Sequence, residues 1–217
     1  MIFGKIDYIN LLPFYVFLKK EIKSLRIKQM IEHKKSYPSC INKKFKNRLI
    51  EAAFISSIES KKYKCLKIGI ISNKEVQSVI LKKSDKNKND FHSATSNMLA
   101  KVLNLKGEVV IGDKALKLYL ENPSSYIDLA KVWYEKEKLP FVFARLCFHK
   151  NRNKYEKLSK KFLRKKVKIP SYILKKYSEK REINRENILN YLKLINYKMD
   201  YKGEKSLKIF FKKAHKR

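Results

Sequence analysis

The chain has 217 residues, room for one domain or two small lobes, and 44% of them are hydrophobic, enough for a core. Its 53 Lys and Arg face 20 Asp and Glu, a formal net charge of +33 that admits nucleic acid, an anionic membrane surface or a small anion as partner. No apolar run approaches the roughly 20 residues of a spanning helix, which excludes a membrane-embedded chain of that kind.

In chain order, residues 2–9 read as a first strand. Leu11 to Lys20 follows as a helix, with Pro13 tolerated in its first turn. "SLRIKQMIEH" (24–33) reads as a second strand, and Pro38 and Ser39 open a helix to about Leu49. "AAFIS" (52–56) is a buried strand, and "SSIESKKY" a short helix or turn. "LKIGIISNKEVQSVILKK" (66–83) is β-rich with a break at Ser72 to Lys74, and "KSDKNKND" (83–90) is a loop. Ser93 to Leu105 reads as a helix with Thr95 and Ser96 as natural N-caps. "GEVVIGD" (107–113) is a strand, helices follow near 114–121 and 126–138, and "FVFARLCFH" (141–149) is a strand after Pro140. Four basic helices, near 152–165, 170–179, 184–196 and 203–215, complete the chain.

Alternating strands and helices predict largely parallel sheets covered by helices. The expected architecture is an α/β fold of two lobes. Residues 1–82 and 146–217 form the first lobe and 83–145 the second, with a ligand cleft between them. In parallel α/β sheets ligands sit beyond the carboxyl ends of strands. Asn10, Ser56, Ser57, Gly112 and Asp113 stand at such ends. Ser93, Thr95, Ser96 and Asn97 open a helix, where free N–H groups and the dipole attract anions. Each has a plainer reading as well: Asn10 as a turn former, the hydroxyls and Asp113 as helix caps.

Other chemistries lack their signatures. There is no G-x-x-x-x-G-K-[ST], G-x-G-x-x-G or G-x-S-x-G. His33, His92, His149 and His215 are scattered and no C-x-x-C occurs, so no zinc site is expected. The odd count of Cys40, Cys65 and Cys147 argues against a disulfide framework. Asp7 and Asn10 interrupt the apolar N-terminus and no A-x-A site follows, so a cytoplasmic protein is expected. Abundant Lys, Asn, Ile, Tyr and Phe carry the mark of AT-rich codons, the main source of the Lys excess. Specific nucleic-acid binding and membrane binding are not expected.

The segments "GKIDYINLLPF", "AAFISSIES", "EVQSVIL", "SATSNMLAKVL", "VVIGDKAL" and "DLAKVWYEKEKLPFVFA" together resemble, in this order, the chorismate dehydratases of menaquinone biosynthesis by the futalosine route. The resemblance is close over about 1–20, 50–82 and 91–144, and weaker over 188–211. It implies a fold similar to the type II periplasmic binding proteins. It also implies loss of water from chorismate to give 3-[(1-carboxyvinyl)oxy]benzoate, a carbon–oxygen lyase reaction, with no cofactor or metal. It places the family's strand-end Asn on Asn10, its serine pair on Ser56 and Ser57, its helix-opening hydroxyls on Ser93, Thr95 and Ser96, and its Gly–Asp on Gly112 and Asp113. Ser78 of "EVQSVIL" joins the substrate-binding set. Arg145 departs from the pattern, standing where an apolar residue is usual. The chemistry leaves Asp7, Asp113 or the substrate's own enolpyruvyl carboxylate as the base, and the last is favoured. The competing readings are a non-catalytic small-anion binding protein of the same fold and the related dihydroxynaphthoate synthase.

Overall fold

A computed structural model describes residues 2–216. The chain begins with β1 (Phe3–Gly4), a 3-10 turn at Ile9–Leu11, and α1 (Leu12–Glu21). Pro13 sits in the first turn of α1, where its missing N–H costs nothing. Next come α2 (Leu25–His33), α3 (Pro38–Lys46), β2 (Ala52–Ser56), the single turn α4 (Ser57–Ser60), β3 (Cys65–Ser72) and β4 (Val79–Lys83). Then follow α5 (Ala94–Val102), β5 (Gly107–Ile111), α6 (Gly112–Glu121), β6 (Ile127–Asp128), α7 (Leu129–Glu137) and β7 (Phe141–Phe148). The remainder is α8 (Arg152–Arg164), α9 (Ser171–Arg181), α10 (Arg185–Lys193), β8 (Ile195–Lys198) and α11 (Tyr201–His215).

The five-stranded sheet has the order β1-β2-β7-β3-β8 and the three-stranded sheet the order β5-β4-β6. The expectation of largely parallel sheets is overturned. Among the strands of the described residues only β1 and β2 pair in parallel; β7 lies antiparallel between β2 and β3, and β8 is antiparallel to β3. β1, β2 and β3 therefore do run in one direction, as the alternation requires. β7, returning from the smaller sheet, enters from the opposite end and splits them. The chain changes sheet between Ser72 and Val79 and again between Asp128 and Phe141, earlier than the crossings read near 82 and 145.

Three further differences have local causes. Residues 25–33 are a helix and not a strand: Ser24 caps it by accepting from the Ile27 N–H, and Ile27 and Ile31 recur at helical spacing. The short strand β8 takes over the last two residues of the helix read to 196, where pairing with β3 ends the helical run. Cys65 and Cys147, 82 positions apart, stand opposite each other on β3 and β7 and form a disulfide, which overturns the expectation of unpaired cysteines. Cys40 is free.

Burial ties the basic C-terminal third into the larger core. Phe14 of α1 stands edge-on to Phe54 of β2 at 5.0 Å and to Phe162 of α8 at 5.2 Å. On the other side, Trp133 of α7 is fully buried, packs edge-on against Phe141 at 5.2 Å and donates its indole N–H to Ser206 Oγ of α11 at 3.0 Å.

Candidate active site

Between the two sheets lies a cleft of about 540 Å³, counting its open mouth. Its wall on the larger sheet is Ile70, Phe143 and Ala144, and on the smaller sheet Val79 and Ile111. Asn10, Ser56, Ser78, Ser93, Ser96 and Gly112 bring polar groups to it, and Tyr8 adds a ring and a hydroxyl. None of the lining residues is Lys, Arg, His, Asp or Glu. In a chain of net charge +33 the cleft is neutral.

Its positive potential has another source. Pro38 opens α3, Ser56 precedes α4, Ser93 caps α5 and Gly112 opens α6, and all four residues line the cleft. Helix N-termini thus converge on one space, each bringing the partial positive charge of its helix dipole.

The polar side chains are held by a second layer. Asn42 brackets Ser56, donating from Nδ2 to Ser56 Oγ at 2.9 Å and accepting from its N–H at 3.2 Å. Ser93 Oγ accepts from the Ser96 N–H at 3.1 Å and donates to Ser96 Oγ at 2.8 Å, which leaves the Ser96 hydroxyl proton for a ligand. Ser78 Oγ is 2.8 Å from the Tyr191 hydroxyl. The Asn10 carbonyl accepts from the Tyr197 hydroxyl at 2.6 Å, and the Asn10 side chain lies within hydrogen-bonding reach of Tyr191. Asn10 Oδ1 is buried and has no hydrogen-bond partner in the protein. Burial pushes the Tyr191 and Tyr197 phenols well up, so both stay protonated donors at neutral pH.

The linker from β3 to β4 carries Val76 and Ser78 to the cleft and is pinned by one carboxylate. Asp128 Oδ2 accepts from the Val76 and Gln77 N–H groups at 2.8 and 2.6 Å, while its Oδ1 caps α7 by accepting from Ala130 and Lys131. Gly112 meets a different demand. Its φ is +72°, and a Cβ there would lie 2.7 Å from the Tyr8 ring, so glycine lets Tyr8 close over the start of α6.

The family model described as "Menaquinone biosynthesis" matches residues 1–108 and 98–216. The chain belongs to that family. It is 51% identical over 215 residues to a protein of Campylobacter jejuni subsp. jejuni named "Chorismate dehydratase", covering 98% of this chain and 96% of that protein. A crystal structure of an Archaeoglobus fulgidus protein superposes over 99% of this chain and 96% of its own, with a TM-score of 0.68 at 14% identity. An ABC transporter structure from Parabacteroides distasonis matches over 99% and 91%, with a TM-score of 0.56 at 13% identity. These two likenesses speak to the fold, which is the two-lobed binding-protein-like α/β architecture expected from the sequence.

The candidate residues separate into two groups. Asn10, Ser56, Ser78, Ser93 and Ser96 are brought together around the cleft. Ser57, Thr95 and Asp113 do not line it. Ser57 Oγ donates to the Val142 carbonyl at 2.6 Å, which binds α4 to β7. Thr95 Oγ1 accepts from the Ile58 N–H at 3.1 Å, so it caps α4 and not α5; the cap of α5 is Ser93. Asp113 accepts from the Ile9 N–H at 2.9 Å and from Arg181 Nε. Burial pushes its carboxyl up, against the pull of Arg181 and the Ile9 N–H. Arg145 also lies off the cleft: it faces Ser60, and burial pushes its guanidinium down. Sequence reasoning missed Tyr8, Asn42, Asp128 and Tyr191. Tyr8 was legible as the neighbour of Asn10; the others lie far along the chain and meet the site only by folding. Among the described residues no cluster of His, Cys, Asp or Glu is placed to hold a metal ion, and no helix is long and apolar enough to cross a membrane.

Proposed function

We propose that this chain is a chorismate dehydratase, a hydro-lyase that converts chorismate to 3-[(1-carboxyvinyl)oxy]benzoate and water. The observation that carries the reading is the neutral cleft ringed by helix N-termini, in a chain half identical to a dehydratase of that name. Chorismate is a dicarboxylate. One carboxylate fits the start of α5, where the Ser96 hydroxyl lines the cleft, and the other fits the start of α4 beside Ser56.

The reaction removes a proton from the ring carbon that bears the ether and expels hydroxide from the neighbouring carbon, and the ring becomes aromatic. Much of the driving force is therefore in the substrate, and the protein orients and desolvates it. No lining residue is a carboxylate, His or Lys, and Asp7 and Asp113 are engaged by Tyr177, Arg181 and Ile9 away from the cleft. This favours the substrate's enolpyruvyl carboxylate as the base. It takes the ring proton and passes it to the departing hydroxide, so that water leaves and the carboxylate is regenerated. Asn10, held by Tyr197 and Tyr191, positions the substrate and hydrogen-bonds developing negative charge through its amide.

The test is incubation of the purified protein with chorismate, following product by chromatography and its aromatic absorbance. The expected result is stoichiometric formation of the substituted benzoate without added metal or cofactor. Saturable binding of chorismate with no turnover would instead make the chain a binding protein.

A further inference from the structure

Residues 5–10 run past the cleft with alternating faces. Ile6, Tyr8 and Asn10 line the cleft, while Lys5 and Asp7 line a second cavity on the other side of the same segment. That cavity, of about 1070 Å³ counting its open mouth, is walled by α1 and α9 and closed by Glu32 and Lys35. Its lining includes Lys5, Lys19, Lys35, Lys176, Lys180 and Arg181, against only Asp7 and Glu32 as acids.

Both acids are already engaged. Asp7 accepts from the Tyr177 hydroxyl at 2.8 Å and lies 3.4 Å from Arg181; Glu32 takes Lys5 Nζ on both oxygens, at 2.7 and 2.9 Å. Those contacts leave Lys19, Lys35 and Lys176 with no ion-pair partner among the described residues, on three different elements facing one concavity. What sets this cavity apart is its floor, a fourth lysine, Lys5, which is buried. Tyr172, largely exposed at the rim, offers an aromatic face.

We propose that this cavity is a second ligand site, distinct from the cleft, that binds a small polyanion carrying a diphosphate group through Lys19, Lys35 and Lys176. Flexible ammonium groups from separate elements suit a compact multiply charged group, which they surround as point charges. A ring attached to that group would lie against Tyr172, so a nucleoside diphosphate and free diphosphate share the chemistry.

The test is calorimetric titration of the full chain with pyrophosphate and, separately, ADP at about 0.15 M salt, where diffuse attraction is screened. The site variant is K19E/K35E/K176E. The control, K154E/K157E/K166E, makes the same charge change at exposed lysines elsewhere. Wild type and control are expected to bind one equivalent saturably, and the site variant to bind at least about tenfold more weakly, as the loss of three ion pairs implies. Chorismate turnover should be unchanged in both, which also shows that they fold. ADP binding tighter than pyrophosphate and weakened by Tyr172→Ala assigns the site to a nucleotide; equal binding of the two assigns it to free diphosphate. Equal weakening of site variant and control, or no saturable binding by wild type, would overturn the proposal, whether or not the chain dehydrates chorismate.

Discussion

The cleft and the basic cavity share one stretch of backbone and could hardly differ more. On the cleft side stand Ile6, Tyr8 and Asn10, and no formal charge; on the other side stand Lys5 and Asp7, within a network of ion pairs. The network steadies the segment: Arg181 donates to the Asp7 carbonyl at 2.7 Å and to Asp113, and Asp113 accepts from the Ile9 N–H, one residue from Asn10. The contrast shows that net charge is a poor guide to a site. The chain's surplus lysines lie outside the cleft, and the inside is built from hydroxyls, an amide and helix ends. In the proposed reaction these neutral donors hold a dicarboxylate without quenching the substrate's own carboxylate as a base.

Putting a charge inside the cleft should have the largest effect. Asn10→Asp replaces a donor with an anion that faces the substrate. We expect it to fold with an unchanged melting temperature and to lose roughly 10²–10³ in turnover, the scale of losing one such donor. Near-normal product formation would return Asn10 to the role of a turn former.

The next comparison separates neighbours on α5. Ser96→Ala removes a cleft donor and should raise KM for chorismate by about 10- to 100-fold, equivalent to a charge-assisted bond of about 1.5–3 kcal/mol. Thr95→Ala leaves the Ile58 N–H without its partner. It should lower stability by about 1 kcal/mol and leave KM alone. Equal kinetic effects from the two would break the division between cleft-lining and capping hydroxyls.

Gly112→Ala tests the wall of the cleft. The positive φ costs an alanine about 1–2 kcal/mol, and its Cβ must displace the Tyr8 ring. Lower melting temperature together with a higher KM is expected; lower stability with unchanged KM would mean that Tyr8 does not touch substrate.

The smallest effect lies in the outer network. Burial pushes the Asp7 carboxyl up, but the Tyr177 hydrogen bond and the charges of Lys5, Arg181 and Lys180 outweigh it and hold the group below its ordinary 3.8. A carboxyl lowered on folding stabilises the native state above its unfolded value, and that stability is lost as pH falls through 3.8 and below. Melting temperature should therefore fall less steeply with acid in Asp7→Asn than in wild type. Parallel curves would remove Asp7 from the account.

Much of this was legible in the sequence, for identifiable reasons. The buried run "AAFIS", the alternation of strands with helices, and the helix beginning after Ser93 are local patterns, and local physics fixes them. Asn10, Ser56, Ser93 and Ser96 could be picked out because they follow strands or open helices, while Ser78 came only from the family resemblance. Ser57, Thr95 and Asp113 satisfy the same local rules and yet turn away, each because a partner elsewhere in the fold claims it: the Val142 carbonyl, the Ile58 N–H, and Arg181 with Ile9.

The sequence by itself determined where most of the helices lie, which segments are buried, and which residues stand at strand ends, since these depend on neighbours a few positions away. Only the tertiary structure decided that β7 inserts antiparallel between β2 and β3, that Cys65 meets Cys147, and that Tyr191, 113 positions after Ser78, meets its hydroxyl behind the cleft wall. Those contacts join segments the chain separates by scores of residues. No local propensity encodes them, because they form only once two sheets have packed around one cleft.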